Sequence, residues 1–166
     1  MSHSGSFGVN YKKTFDVASV PSLPAKLMDL GSCPEGQFLF VQADGAISQY
    51  DFVIITAAGQ ASSVTQTNDG TVLIQGGVAQ IAALDNEYLW VWVGGIAGGG
   101  VGTGIKGKVA AGCVGGAAIY TTATAGVADD DSTAPAVKFA NVVTTVTTTP
   151  AAAVELYSVD SIRLNA

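Results

Sequence analysis

The chain predicts an all-β fold: a compact β-sandwich or β-barrel-like domain with an extended N-terminal arm. Three observations carry that prediction. Short apolar runs rich in β-branched and aromatic residues recur along the chain, each bounded by a turn signal such as Asp44-Gly45, Asn68-Asp69-Gly70 or Asp85-Asn86. No stretch shows an apolar stripe of helical period with caps at its ends. The 21 glycines follow no collagen-like period, and with 48% hydrophobic residues the chain is too apolar for disorder.

In chain order, residues 1–35 read as the arm and 36–166 as the β domain. In the arm Phe7, Val9, Tyr11 and Phe15 share odd parity, so an extended strand sets them on one face. Pro21 and Pro24 punctuate the latter half of the arm, and within Pro24 to Leu30 a single helical turn closed by Gly31 is the local reading. FLFVQ, the Asp44-Gly45 turn and ISQYDFVIIT read as a hairpin, with Tyr50, Phe52 and Ile54 on one face and Gln49 and Asp51 on the other. TVLIQ is a further strand. LWVWV sets Trp90 and Trp92 on one face and Leu89, Val91 and Val93 on the other. A strand apolar on both faces is either central or covered by a neighbouring subunit. KGKVAAGCVGGAAIYTTATAG reads as two small-residue β-segments bending at glycines, Asp129-Asp130-Asp131 as a solvated loop, and AVKFANVVTTVTTT and VELYSVDSIRL as closing strands.

Charge excludes several function classes. Only 12% of residues are charged, the formal net charge is -6 and Arg163 is the one arginine, so nucleic acid is not an expected partner. The N-terminal MSHSGSFGVNYKK lacks the apolar core of a signal peptide. Tyr88 to Ile105 is uncharged and nearly long enough to span a bilayer, yet seven of its 18 residues are glycine and the apolar residues cluster in LWVWV, so no membrane partner is read. Cys33 and Cys113 are read as reduced, buried thiols of a cytosolically folded protein, with a disulfide between them the alternative.

The motifs that suggest chemistry do not complete it. Gly102-Thr103-Gly104-Ile105-Lys106-Gly107 satisfies the dinucleotide pattern, but the continuation KVAAGCVGG is no helix former, and Val109 stands where a phosphate loop needs Ser or Thr. The aspartate run lacks the alternation, glycine and distal glutamate of a calcium loop. His3 has no fixed partner, and neither Cys113 nor any hydroxyl has an identifiable activating base. No catalytic, cofactor-binding or metal residue, no cofactor and no small-molecule substrate is assigned, and the expected protein is not an enzyme. Trp90 and Trp92 fit packing in a core or between subunits better than stacking on a sugar. Strands this apolar with so few charged flanks need covering by other subunits or by a larger surface.

FLFVQADGAISQYDFVIIT (Phe38 to Thr56), GGVAQIAALDNEYLWVWVGG, KVAAGCVGGAAIYTTATAGVADDD and AVKFANVVTTVTTTPAAAVEL follow one another in that order. Together they resemble the small head proteins of tailed bacteriophages that decorate, or cement, the capsid. The likeness covers about the C-terminal three quarters of the chain. It departs from the family pattern in the longer glycine link after Val93 and in Ala140-Asn141, where a glycine is usual. The resemblance implies a tulip-type β domain that forms a homotrimer on the exterior of an icosahedral phage head, made in the host bacterial cytoplasm, bridging neighbouring major capsid proteins. It assigns Phe7, Val9, Tyr11 and Phe15 to a capsid-binding arm, and Trp90 and Trp92 to packing within the domain and between subunits. The alternative is a glycan- or receptor-binding module of a phage tail or fibre that uses the tryptophans as a platform.

Overall fold

The computed structural model describes residues 9–19, 22–65, 73–94, 105–114, 117–132, 138–145 and 154–162. It is all-β, with a single turn of 3-10 helix at Val17–Ser19. Among the described residues no helix is long and apolar enough to cross a membrane.

The first sheet comprises β1 (Leu30–Cys33), β2 (Gly36–Ala43), β3 (Phe52–Thr56), β4 (Gln60–Ser63), β5 (Leu73–Ala79) and β6 (Tyr88–Gly94), in the order β1-β2-β4-β3-β5-β6. β6 returns to pair with β2 over Gln37 to Gln42, so five of these strands close on themselves, and β1 remains as a flap on the other edge of β2. The boundary expected between residues 35 and 36 falls inside the β1–β2 hairpin, where Cys33 pairs with Gly36. Nor are β2 and β3 hairpin partners, contrary to the sequence expectation. β2 pairs with β4 in parallel and with β6 antiparallel, while β3 pairs with β4 and β5. After Asp44-Gly45 the chain crosses the barrel end, where Ile47 bridges Ala83, and a tight turn cannot bring β3 back beside β2.

The alternation of side chains explains why both faces are apolar. Leu39, Val41, Val53, Ile55, Ala61, Ala79, Leu89, Val91 and Val93 form one buried cluster that draws on all five strands of the ring, which makes it the barrel interior. The opposite parity, Phe38, Phe40, Phe52, Ile54, Val78, Trp90 and Trp92, forms the outer face, and it packs against Ile105, Val109, Cys113, Ile119 and Ala128 of a second unit. Small aliphatic residues fit the narrow interior. The aromatic residues lie outside it, where there is room for rings.

The second unit is a closed barrel of β7 (Lys106–Ala110), β8 (Ala118–Thr121), β9 (Ala128–Asp129), β10 (Lys138–Thr145) and β11 (Val154–Ile162), in the order β10-β11-β7-β9-β8. Asp129 thus enters a short strand rather than a solvated loop. Gly112 has φ 89° at the bend after β7, a conformation that suits glycine.

The first barrel carries an internal near-symmetry. The stretch from β2 to β3 repeats from β5 to β6 at an offset of 36 residues (Ala43 to Ala79, Tyr50 to Asn86, Asp51 to Glu87). Ala43 N–H donates to Glu87 O at 2.8 Å and Ala79 N–H to Asp51 O at 3.0 Å. Asn86 N–H donates to Ala43 O at 2.9 Å and Tyr50 N–H to Ala79 O at 2.7 Å. The Ile47–Ala83 bridge, two bonds of 2.9 Å, lies on the axis. Tyr50 and Asn86 both take positive φ, 69° and 66°.

Candidate functional site at the junction of the barrels and the arm

The two barrels are joined by polar groups that grow out of the β2–β3 and β5–β6 connections. Asp51, 4% exposed, sits just before β3. Its carboxylate accepts from Lys108 Nζ of β7 at 2.6 Å, from Ser63 Oγ of β4 at 2.7 Å and from the Ser48 N–H at 3.0 Å. Gly126 lies against this carboxylate so closely that a Cβ would collide with it, and its φ of 73° disfavours a side chain on its own account. Main-chain bonds complete the seam: Phe52 N–H to Gly126 O, Gly126 N–H to Val64 O and Val64 N–H to Phe52 O, each 2.9 Å. Beside them the buried Gln80 bonds the main-chain N–H and C=O of one β7 residue with both ends of its amide. Its Nε2 donates to Lys106 O at 2.9 Å, and its Oε1 accepts from the Lys106 N–H at 3.1 Å.

The arm docks on the other half of the first barrel. Phe15 and Tyr88 exchange two main-chain bonds of 2.8 Å, which extends the ladder at the start of β6. By the internal symmetry Tyr88 corresponds to Phe52, so Phe15 does for one half what Gly126 does for the other. Tyr11 stacks on Phe38 with ring centroids 4.8 Å apart, and Phe15 meets Phe40 edge-on at 6.0 Å. Val9, Tyr11 and Phe15 are therefore half-buried against their own chain, whereas Phe7 lies outside the described residues. Trp90 and Trp92 are 2% and 1% exposed, covered by the arm, β1 and the second barrel without any partner subunit. Trp92 Nε1 donates to Glu35 O at 3.2 Å, while Trp90 Nε1 is buried with no partner among the described residues.

An open groove of about 560 Å³ lies where the arm and the two barrels meet, lined by Tyr11, Lys12, Glu35, Gln49, Tyr50, Gln80, Ile81 and Lys106. Its β1 end holds a small titratable group. Burial pushes the Cys33 thiol up to about 11, with hydrogen bonding to Glu35 adding to the rise. The Glu35 carboxyl is held below its ordinary range, first by that thiol and further by the Tyr11 hydroxyl and Lys12. Burial and then the Glu35 charge raise Tyr11. A thiol with a raised pKa is a poor nucleophile at neutral pH.

Elsewhere the Cys113 thiol and the carboxylates of Asp129 and Asp130 lie within 4.8 Å of one another. Burial and the neighbouring Asp130 raise the Asp129 carboxyl, and a thiol with two carboxylates mixes soft and hard donors, so the trio identifies no particular metal. Cys33 and Cys113 are not joined by a disulfide. The glycine pattern at 102–107 runs into strand β7, where a dinucleotide site requires a helix. His3 and Gly102 lie outside the described residues.

Sequence reasoning missed the Asp51–Lys108 and Gln80–Lys106 pairs because their members lie 57 and 26 residues apart. A weak signal was present in Asp51-Phe52-Val53 against Glu87-Tyr88-Leu89, a chemically parallel triplet at the repeat offset. Compared with protein-family models, curated proteins and solved structures, the chain matches none of them.

Proposed function

We propose that this chain is a structural virion protein that binds the outside of an icosahedral phage head as a homotrimer and cements neighbouring major capsid proteins. The observation that supports this reading most is where the four family-like segments fall. FLFVQADGAISQYDFVIIT and GGVAQIAALDNEYLWVWVGG supply the two symmetric halves of the first barrel, and the other two segments supply strands of the second. The segments that carry the likeness are thus the framework of two closed barrels sharing one core, a body suited to adhesion. Three modest patches on a trimer bind with raised effective concentration, and avidity then exceeds single-site affinity by roughly 10² to 10⁴.

In this reading the docked stretch from Val9 to Phe15 is scaffold, and contact with the shell or with other subunits falls to other surfaces. β1 suits that role. It is four residues long with Leu30 58% exposed, and among the described residues it pairs only with β2, which leaves one edge for strand addition. Sedimentation equilibrium is expected to give three times the 16.7 kDa of the chain, and the protein is expected to pellet with expanded heads. A monomer at micromolar concentration, or protein left in the supernatant, overturns the proposal. The alternative, a glycan- or receptor-binding tail module, relied on a tryptophan platform, and both indoles are covered within the chain.

A further inference from the structure

The internal symmetry of the first barrel singles out one residue that the fold alone does not explain. At the turn before β6 the left-handed position is filled by Asn86, a residue type that adopts positive φ readily. At the equivalent turn before β3 the same backbone, φ 69°, carries Tyr50, a bulky residue that disfavours it. The main-chain duties of Tyr50, its N–H donating to Ala79 O at 2.7 Å and its carbonyl accepting the Lys108 N–H at 3.0 Å, require no particular side chain. Among the described residues its hydroxyl makes no hydrogen bond and its ring pairs with no other ring. Tyr50 is one of the residues that line the groove at the junction of the arm and the barrels.

The rest of the groove has a matching character. A second phenol, Tyr11, also lines it. Gln49 is held by its Nε2–Gln80 O bond of 3.0 Å, which leaves its carbonyl oxygen as an acceptor. The two bonds from Gln80 fix the main chain of Lys106, whose ammonium makes no ion pair among the described residues. With Lys12 and Lys106 against Glu35, the lining carries one net positive charge. Its volume of about 560 Å³ lies within the ~300–1,000 Å³ of small-molecule sites.

We infer that this groove is a carbohydrate subsite for one or two sugar units bearing a carboxylate, with Tyr50 as its stacking platform. The C–H face of a pyranose lies on the phenol ring, its hydroxyls meet Gln49 and Tyr11, and its carboxylate meets Lys106. Nucleotide phosphates suit the groove less well, because no arginine is among the described residues that line it. This site is separate from capsid binding and does not rest on it.

The test uses the full chain with digalacturonate, lactose and AMP as probes, followed by calorimetry or by chemical-shift titration. Saturable binding of digalacturonate in preference to lactose and AMP is expected. Tyr50→Asn is expected to weaken it by about tenfold, the scale of one aromatic contact, while raising the denaturant midpoint, because asparagine fits the backbone better. Lys106→Met is expected to abolish the preference for digalacturonate over lactose and to leave the midpoint nearly unchanged. The inference is overturned if neither sugar binds saturably, if AMP binds best, or if Tyr50→Asn lowers the midpoint and leaves binding intact, since the ring is then a packing element.

Discussion

Asp51 illustrates how one side chain can join two barrels. It is nearly buried, and its three partners come from the β2–β3 turn, β4 and β7. Removing Lys108 leaves that carboxylate without its counter-charge, so Lys108→Ala is expected to destabilise the protein by about 3 kcal/mol in denaturant titrations, the low end for a broken buried pair because Lys108 is partly exposed. Cys33 makes a second prediction at this scale. Its folded thiol titrates near 11, against an ordinary 9.0, so the folded state keeps its proton where the unfolded chain has lost it. The stability contributed is complete below pH 9 and declines as pH rises from 9 to 11. Tyr11, also raised, shifts stability in the same direction as pH rises above its ordinary 10.0. Cys33→Ala should flatten the decline in alkaline melts. Wild-type Cys33 should alkylate at pH 8 roughly 100-fold more slowly than an unperturbed thiol, as its thiolate fraction dictates. Glu35 acts in the opposite sense: its contribution is present above its ordinary pKa of 4.5 and is lost as pH falls through its lowered value.

At the scale of elements, the arm behaves as part of the core. Val9, Tyr11 and Phe15 cover Phe38, Phe40 and Trp90, and a truncation that removes them should destabilise the fold by about 2–4 kcal/mol and red-shift the tryptophan emission. Glycine spacing matters as much in the strands. Gly77 lies in β5 with its α-carbon against the Val91 side chain and the Trp92 carbonyl, so Gly77→Ala has no room and should lower the melting temperature by several degrees for each ~1 kcal/mol lost. The strand read in TVLIQ runs on through Gly76 and Gly77 to Ala79. The glycines continue the strand because a neighbouring strand presses on it. Alternation did reveal the two faces of LWVWV, because parity is a local property of an extended chain. The pairing of β2 with β6 was invisible from sequence, since ring closure depends on residues such as Phe38 and Trp92 that lie far apart. The arm, read as seeking an external surface, found its own sheet. Odd parity told which side chains share a face but could not tell what they face.

For the molecule as a whole, the buried aromatic face of the first barrel and buried residues of the second form one continuous cluster. The two barrels should therefore melt together, with calorimetric and van't Hoff enthalpies equal, and two separate transitions in a scanning experiment would show independent units. Charge composition could suggest a body that must be covered. It could not show how much of that covering the chain supplies itself through the arm, the β1 flap and the second barrel.

The closure of β2 on β6 also bears on how the protein is made. A ribosome delivers FLFVQ well before LWVWV, and at ~5–20 residues per second the partner of Phe38 emerges several seconds after it. During that interval an apolar strand, charged only at its two ends by Glu35 and Asp44, is in solution beside other nascent chains. Chaperone capture of short N-terminal fragments, and release once Gly94 has been synthesised, should accompany biosynthesis of this chain.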